Sequence, residues 1–188
     1  MMGIIIVLIR KRLWAAIVLC FCCLICASSL LAQGSPKMPT TEGDSFAGHK
    51  VVLPDAAAGK VAVLIFGFTK ASKIPTGAWA DKLLADFGTR PGVELYQLPV
   101  LEEVPRLFRG MVISGIRKGV AENKRDHFVP ILQGEAELKK LVHYQEPDDA
   151  YLVLLSRAGN IVQQIHGTPT EAKYSQVRSA IESLLNQK

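Results

Sequence analysis

The sequence predicts an α/β fold: a three-layer domain with a central mixed sheet, preceded by an N-terminal hydrophobic helix. Three observations carry that expectation. Val61–Phe68 is a nearly continuous apolar run, segments with helical apolar spacing alternate with strand candidates, and a hairpin pattern is followed by a capped helix near the C-terminal end.

The N-terminal segment comes first in order. Residues 1–33 contain no acidic residue, carry Arg10, Lys11 and Arg12, and continue from Leu13 to Ala32 as an apolar run. A cationic flank, an apolar stretch and a small residue before Gln33 make an export signal. The run is 20 residues long. A cleaved signal has an apolar region of about 7 to 15 residues and a membrane span needs about 20. Both a removed signal and a retained anchor, with Arg10–Arg12 on the cytoplasmic side, therefore fit. The expectation is a chain exported across, or anchored in, a bacterial cytoplasmic membrane, with its domain on the extracytoplasmic side.

Cysteine use and charge then narrow the chemistry. Cys20, Cys22, Cys23 and Cys26 all lie in the apolar run, and residues 27–188 have none. That stretch therefore has neither a thiolate nucleophile nor a Cys metal ligand, and its core alone must stabilise it. The formal net charge is +5, but setting aside the three cations of the leader leaves 19 basic residues against 17 acidic ones. That balance gives no support for nucleic-acid binding.

Residues 34–48 are rich in Gly, Ser, Pro and Thr without apolar periodicity, so a flexible linker is expected there and the domain is expected over 49–188. Lys50–Leu53 is a short strand candidate, and Val61–Phe68 has the pattern of a strand covered on both faces. Trp79, Leu83, Leu84 and Phe87 share a helix face that ends before Gly88 and Pro91. Val93–Val100 reads as a second central strand. It is followed by Val104, Leu107, Phe108, Met111, Val112 and Gly115 at helical spacing, with Arg106, Arg109, Arg117 and Lys118 opposite them. Phe128–Leu132 reads as an extended segment and Glu135–His143 as a short helix. Ala150–Ser156 and Asn160–His166 flank Arg157–Gly159 as a hairpin, the second arm nearer an edge. Thr168, Pro169, Thr170 and Glu171 then start a helix whose face is Tyr174, Val177, Ile181, Leu184 and Leu185.

Strand, helix, strand, helix, hairpin, helix is the order of a thioredoxin-like domain. Ile65-Phe66-Gly67-Phe68-Thr69 resembles the strand end before the active loop of Sco-type copper chaperones, where Cys-x-x-x-Cys-Pro follows. On that pattern the two metal-binding cysteines fall on Ala71 and Pro75, and the copper-binding histidine falls at Asp148 or Asp149. Ala, Pro and an isolated carboxylate do not make a soft copper(I) site. The same loop is similar to the start of peroxiredoxins, in which a Thr precedes the peroxidatic cysteine by three residues; from Thr69 that position is Ser72. A serine hydroxyl is not oxidised by peroxide as a thiolate is. From about Gly59 to Leu185 the spacing also resembles the mitochondrial ATP synthase assembly factor family called ATPase complex subunit ten. That resemblance implies a thioredoxin-like protein that needs no redox cysteines and helps a membrane complex assemble.

The candidate binding residues are Thr69, Lys70 and Ser72, in a loop that feeds a helix N-terminus, and Arg106, Arg109 and Arg117, on a basic stripe. Hydroxyls at such a loop also cap helices, and basic stripes also form ordinary solvated faces. His49, His127, His143 and His166 are scattered without ligand spacing, so no metal, no cofactor and no catalytic residue is expected. The sequence points to a redox-inactive binding or assembly protein rather than an enzyme. Its partner would be a protein, such as a component of a membrane complex, with membrane contact through residues 13–32 if they are uncleaved and no nucleic acid. The alternative is an enzyme that binds a small molecule or glutathione with the Thr69–Ser72 loop.

Overall fold

The computed structural model describes residues 36–187, so the leader expected at 1–33 lies outside the described residues. Strands β1 (Thr41–Asp44) and β2 (Lys50–Leu53) form an antiparallel hairpin. They are followed by β3 (Val61–Gly67), α1 (Lys73–Phe87), β4 (Val93–Pro99), α2 (Arg106–Lys118), α3 (Glu135–Leu141), β5 (Ala150–Leu155), β6 (Ile161–His166) and α4 (Glu171–Asn186). The main sheet has the order β4-β3-β5-β6. β3 and β4 are parallel, in register from Val61 opposite Val93 to Gly67 opposite Pro99, and β5 is antiparallel to both β3 and β6.

Alternation along the strands divides the core in two. Ala62, Leu64, Phe66, Leu98, Tyr151 and Val153 face the β1–β2 hairpin and α3. Val61, Val63, Ile65, Leu152 and Leu154 face Trp79, Leu83 and Phe87 of α1 and Val177, Ile181 and Leu184 of α4. Every residue of β3 and β5 is buried, which is why both read as continuous apolar runs. Trp79 is fully buried, and its indole N–H donates to the carbonyl of Gly167 at 2.8 Å, tying α1 to the end of β6. Gly159, at φ +75°, makes the turn between β5 and β6.

Four expectations are corrected. Residues 36–48 are no flexible linker: they contain β1, bury Met38, Thr41, Ser45 and Phe46, and the N–H of Ile161 donates to the Pro36 carbonyl at 2.9 Å. Phe46 stacks on Phe128 with ring centroids 4.9 Å apart, so a few large residues anchor a segment that is otherwise small and polar.

The strand at 93–99 lies at the edge of the main sheet, not at its centre. Its outer side is covered by the extended segment at 128–131, whose Val129 and Ile131 N–H groups donate to the Gln97 and Pro99 carbonyls at 2.9 Å.

Helix α2 forms, but its orientation differs from expectation. Arg109, Val112, Ile113 and Ile116 are half-buried, whereas Leu107, Phe108 and Met111 are exposed. The Arg109 guanidinium holds it this way, donating to the carbonyls of Val104 at 2.8 Å and Glu102 at 2.6 Å. Helix α4 starts at Glu171 with Thr170 as its cap, the Thr170 hydroxyl accepting from the Lys173 N–H at 3.3 Å, so Pro169 precedes the helix.

Candidate functional site

β3 and β4 end side by side, and loops leaving the carboxyl ends of parallel strands are where open α/β sheets hold ligands. The loop after β3 runs from Phe68 into α1 and contains Thr69, Lys70 and Ser72. The loop after β4 leads into α2 and its Arg106 and Arg109.

Ser72 is 1% exposed. Its hydroxyl donates to the Thr69 carbonyl at 2.7 Å and accepts from the Thr69 N–H at 3.3 Å. The Thr69 hydroxyl accepts from the Ser72 N–H at 3.2 Å and donates to a carboxylate oxygen of Asp148 at 3.3 Å. The two residues thus close the turn on each other, a local alternative to regular backbone pairing that Ser and Thr commonly supply. Gly67 makes room for it, because a Cβ there would lie 2.7 Å from the Ser72 hydroxyl oxygen. Lys70 and Ala71 project to solvent, while Pro75 is buried in the first turn of α1.

The loop before β5 is organised separately. The Tyr151 hydroxyl accepts from the N–H groups of Gln145 and Glu146 at 2.9 and 2.8 Å and donates to the Glu146 carbonyl at 2.9 Å. Asp148 then reaches Thr69, while Asp149 meets the His166 ring nitrogen at 2.8 Å. Adjacent acids in the turn ahead of β5 therefore serve different partners. Lys173 donates to the His166 carbonyl at 2.7 Å, linking this corner to α4.

The structure gathers Thr69, Lys70 and Ser72 in one turn and adds Asp148 to it. Among the described residues, no hydrogen bond or ion pair connects that turn to Arg106, Arg109 or Arg117. Arg109 is engaged with the backbone ahead of α2. Arg117, in the last turn of α2, lies 6.0 Å from the centre of the Phe46 ring. Three surface residues that sequence reading set at helical spacing opposite the basic stripe, Leu107, Phe108 and Met111, share α2 with these arginines, and Ile74 is 79% exposed at the start of α1.

A second polar cluster lies away from these loops. Glu94 on β4 pairs with Lys60 on one oxygen and with the His127 ring on the other, at the mouth of a cleft of about 160 Å³ between α1 and β4. Burial works against ionisation of the Glu94 carboxyl, but the Lys60 and His127 contacts outweigh it and hold the group below the usual carboxylate range. Burial, with the Glu94 charge adding to it, pushes the nearby Tyr96 hydroxyl up to about 12. Among the described residues, no group of three or more His, Cys, Asp or Glu side chains is placed to hold a metal ion. No helix among them is long and apolar enough to cross a membrane.

No family model matches the chain, and no curated protein matches it. Solved structures do. BsSco, a member of the Sco family of cytochrome c oxidase assembly proteins, superimposes with a TM-score of 0.57 at 14% identity, over 82% of this chain and 96% of its own. A DsbE-type thiol:disulfide interchange protein from Chlorobium tepidum gives a TM-score of 0.55 at 16% identity, over 80% and 96%. The exposed lipoprotein thioredoxin Etrx1 from Streptococcus pneumoniae gives 0.53 at 13% identity, over 76% and 99%. At such identities the likeness speaks for the fold alone, and with the parallel β3–β4 pair, the antiparallel β5–β6 pair and the flanking helices that fold is thioredoxin-like.

Proposed function

We propose that this chain is an exported or membrane-tethered thioredoxin-like protein that acts by binding a protein partner, assists the assembly of a membrane complex, and performs no thiol redox chemistry. One observation carries the reading. The turn after β3 contains no cysteine, and the hydroxyl of Ser72 is buried and hydrogen-bonded back to Thr69. A group so engaged is neither a nucleophile nor a free donor for a substrate. Thr69 and Lys70 remain at the surface beside it, Arg106 and Arg117 are exposed on α2, and these serve as contact residues.

The similarity to BsSco, of a family described as assembling cytochrome c oxidase, supports the assembly role. The similarity to an exposed lipoprotein supports a position outside the cytoplasm, as does the apolar run at residues 13–32. The competing reading, a glutathione-binding enzyme built on Thr69–Ser72, needs a hydroxyl free to orient a thiolate, and that of Ser72 is not. Two measurements test the proposal together. Full-length protein isolated from its native membrane is expected to bring down one membrane complex reproducibly, and millimolar glutathione is expected to leave its melting temperature unchanged. Absence of any partner, or a glutathione-dependent rise in melting temperature, contradicts the reading.

A further inference from the structure

We infer that the outer face of α2 is the docking site for an acidic amphipathic helix of a partner protein. The inference rests on the binding role proposed above and assigns it a surface and a class of partner. Leu107 is 86% exposed, Met111 68% and Phe108 47%, and no side chain of this 13-residue helix is fully buried. Isolated helices of that length are marginal in water, and Gly110 and Gly115 weaken this one further. Its own domain holds it through half-buried Arg109, Val112, Ile113 and Ile116 and through Arg117 beside the Phe46 ring. A second surface laid on Leu107 and Met111 would complete its packing.

The shape of the face suits another helix. Leu107 and Met111, four residues apart, form a ridge, and Gly110 and Ser114 form a shallow row beside it. A Cβ added at Gly110 or Gly115 would meet nothing within 4 Å, so the space above both is open. A ridge next to a row of small residues is the pattern into which the ridges of a second helix pack.

The charges around it select that helix. Arg106, Arg117 and Lys118 are exposed, and among the described residues none of the three is in an ion pair. An apolar stripe flanked by acids complements them. The chain's own apolar run does not qualify, because residues 1–33 carry Arg10, Lys11 and Arg12 and no acid. A second copy does not qualify either: among the described residues the longer helices that carry acids, α1 and α4, bury their apolar faces in the core. A bilayer would be better served by an unbroken apolar face than by one interrupted by Gly110, Ser114 and Gly115.

The test uses the full-length chain in its native membrane, with a photo-crosslinking phenylalanine analogue in place of Met111, of Lys70, or of Glu182 as a remote control. The expected result is a protein adduct from position 111, absent from position 182, that maps to an acidic, helix-forming segment. A synthetic peptide of that segment should bind the purified full-length protein, with at least tenfold loss of affinity in the double variant Arg117→Glu, Lys118→Glu. Exchanging two acids of the peptide for lysine should restore affinity to that variant. Both substituted positions are exposed, and an unchanged melting temperature shows that the variant is folded. An adduct to lipid, to a second copy, to residues 1–35 or to a neutral or basic segment overturns the inference, and so does peptide binding that is indifferent to the charge reversal. An adduct from position 70 with none from 111 overturns this docking site and leaves the binding role standing. No adduct from either position removes both.

Discussion

Thr69 and Ser72 exchange hydrogen bonds across one turn: the Ser72 hydroxyl donates to the Thr69 carbonyl at 2.7 Å, and the Thr69 hydroxyl accepts from the Ser72 N–H at 3.2 Å. The position that corresponds to the reactive sulfur in the peroxiredoxin resemblance is thereby made a structural part of the turn. Replacing Ser72 by Ala should cost about 1 kcal/mol, the usual scale for a lost hydrogen bond between a side chain and the backbone. In a domain of this size that lowers the melting temperature by about 2–4 °C. Thiol labelling supplies a second readout, in a background in which the four native cysteines are replaced. Ser72→Cys should be protected from a thiol reagent in the folded protein, and Ala71→Cys should react readily.

The Lys60–Glu94–His127 cluster makes stability depend on acidity in a defined direction. Burial opposes the charge on Glu94, but its two partners hold the folded-state pKa below the unfolded value. A carboxylate depressed in this way contributes stability above its unfolded pKa of about 4, and the contribution is lost as pH falls through the folded value. The urea midpoint should therefore decline between about pH 5 and pH 3, and the decline should be smaller in Glu94→Gln. Lys60 and His127 are both nearly half exposed, so the effect should be on the order of 1 kcal/mol.

Trp79 combines full burial with one specific acceptor, the Gly167 carbonyl. Trp79→Phe keeps most of the apolar contact but leaves that buried carbonyl without its donor. The expected cost is about 1–3 kcal/mol, seen as a lower urea midpoint with an unchanged slope.

Arg109 and Arg117 should separate structural from surface roles. Arg109→Ala leaves the Val104 and Glu102 carbonyls without the guanidinium and should speed amide exchange over residues 106–118. Arg117 is exposed and touches its own domain only at the Phe46 ring, so Arg117→Glu should alter global stability by no more than about 1 kcal/mol.

The parts of the fold that sequence reading anticipated are those in which burial decides residue type on every face. β3 and β5 read as continuous apolar runs because helices cover one side and the β1–β2 hairpin and α3 the other, and α1 was legible from Trp79, Leu83 and Phe87. β1 was not. Gly43 lies so close to the 129–130 backbone that a Cβ there would be 2.5 Å from the Pro130 carbonyl oxygen, so the contact selects the small residue that composition assigns to a linker. The rotation of α2 escaped because the helix has two apolar stripes, one through Leu107 and Met111 and one through Val112, Ile113 and Ile116. Periodicity alone does not say which one a sheet will cover. At the candidate site, strand order located the turn after β3, but the tie from Thr69 to Asp148 joins residues 79 positions apart, and no local pattern announces it.

The most direct test of the account is an assay of redox and copper chemistry on the full-length protein with Cys20, Cys22, Cys23 and Cys26 replaced by serine. The account predicts disulfide reduction and peroxide consumption at the rate of a no-protein control, and no copper(I) retained after desalting. Turnover above that control, or copper held at one equivalent per chain, would contradict it.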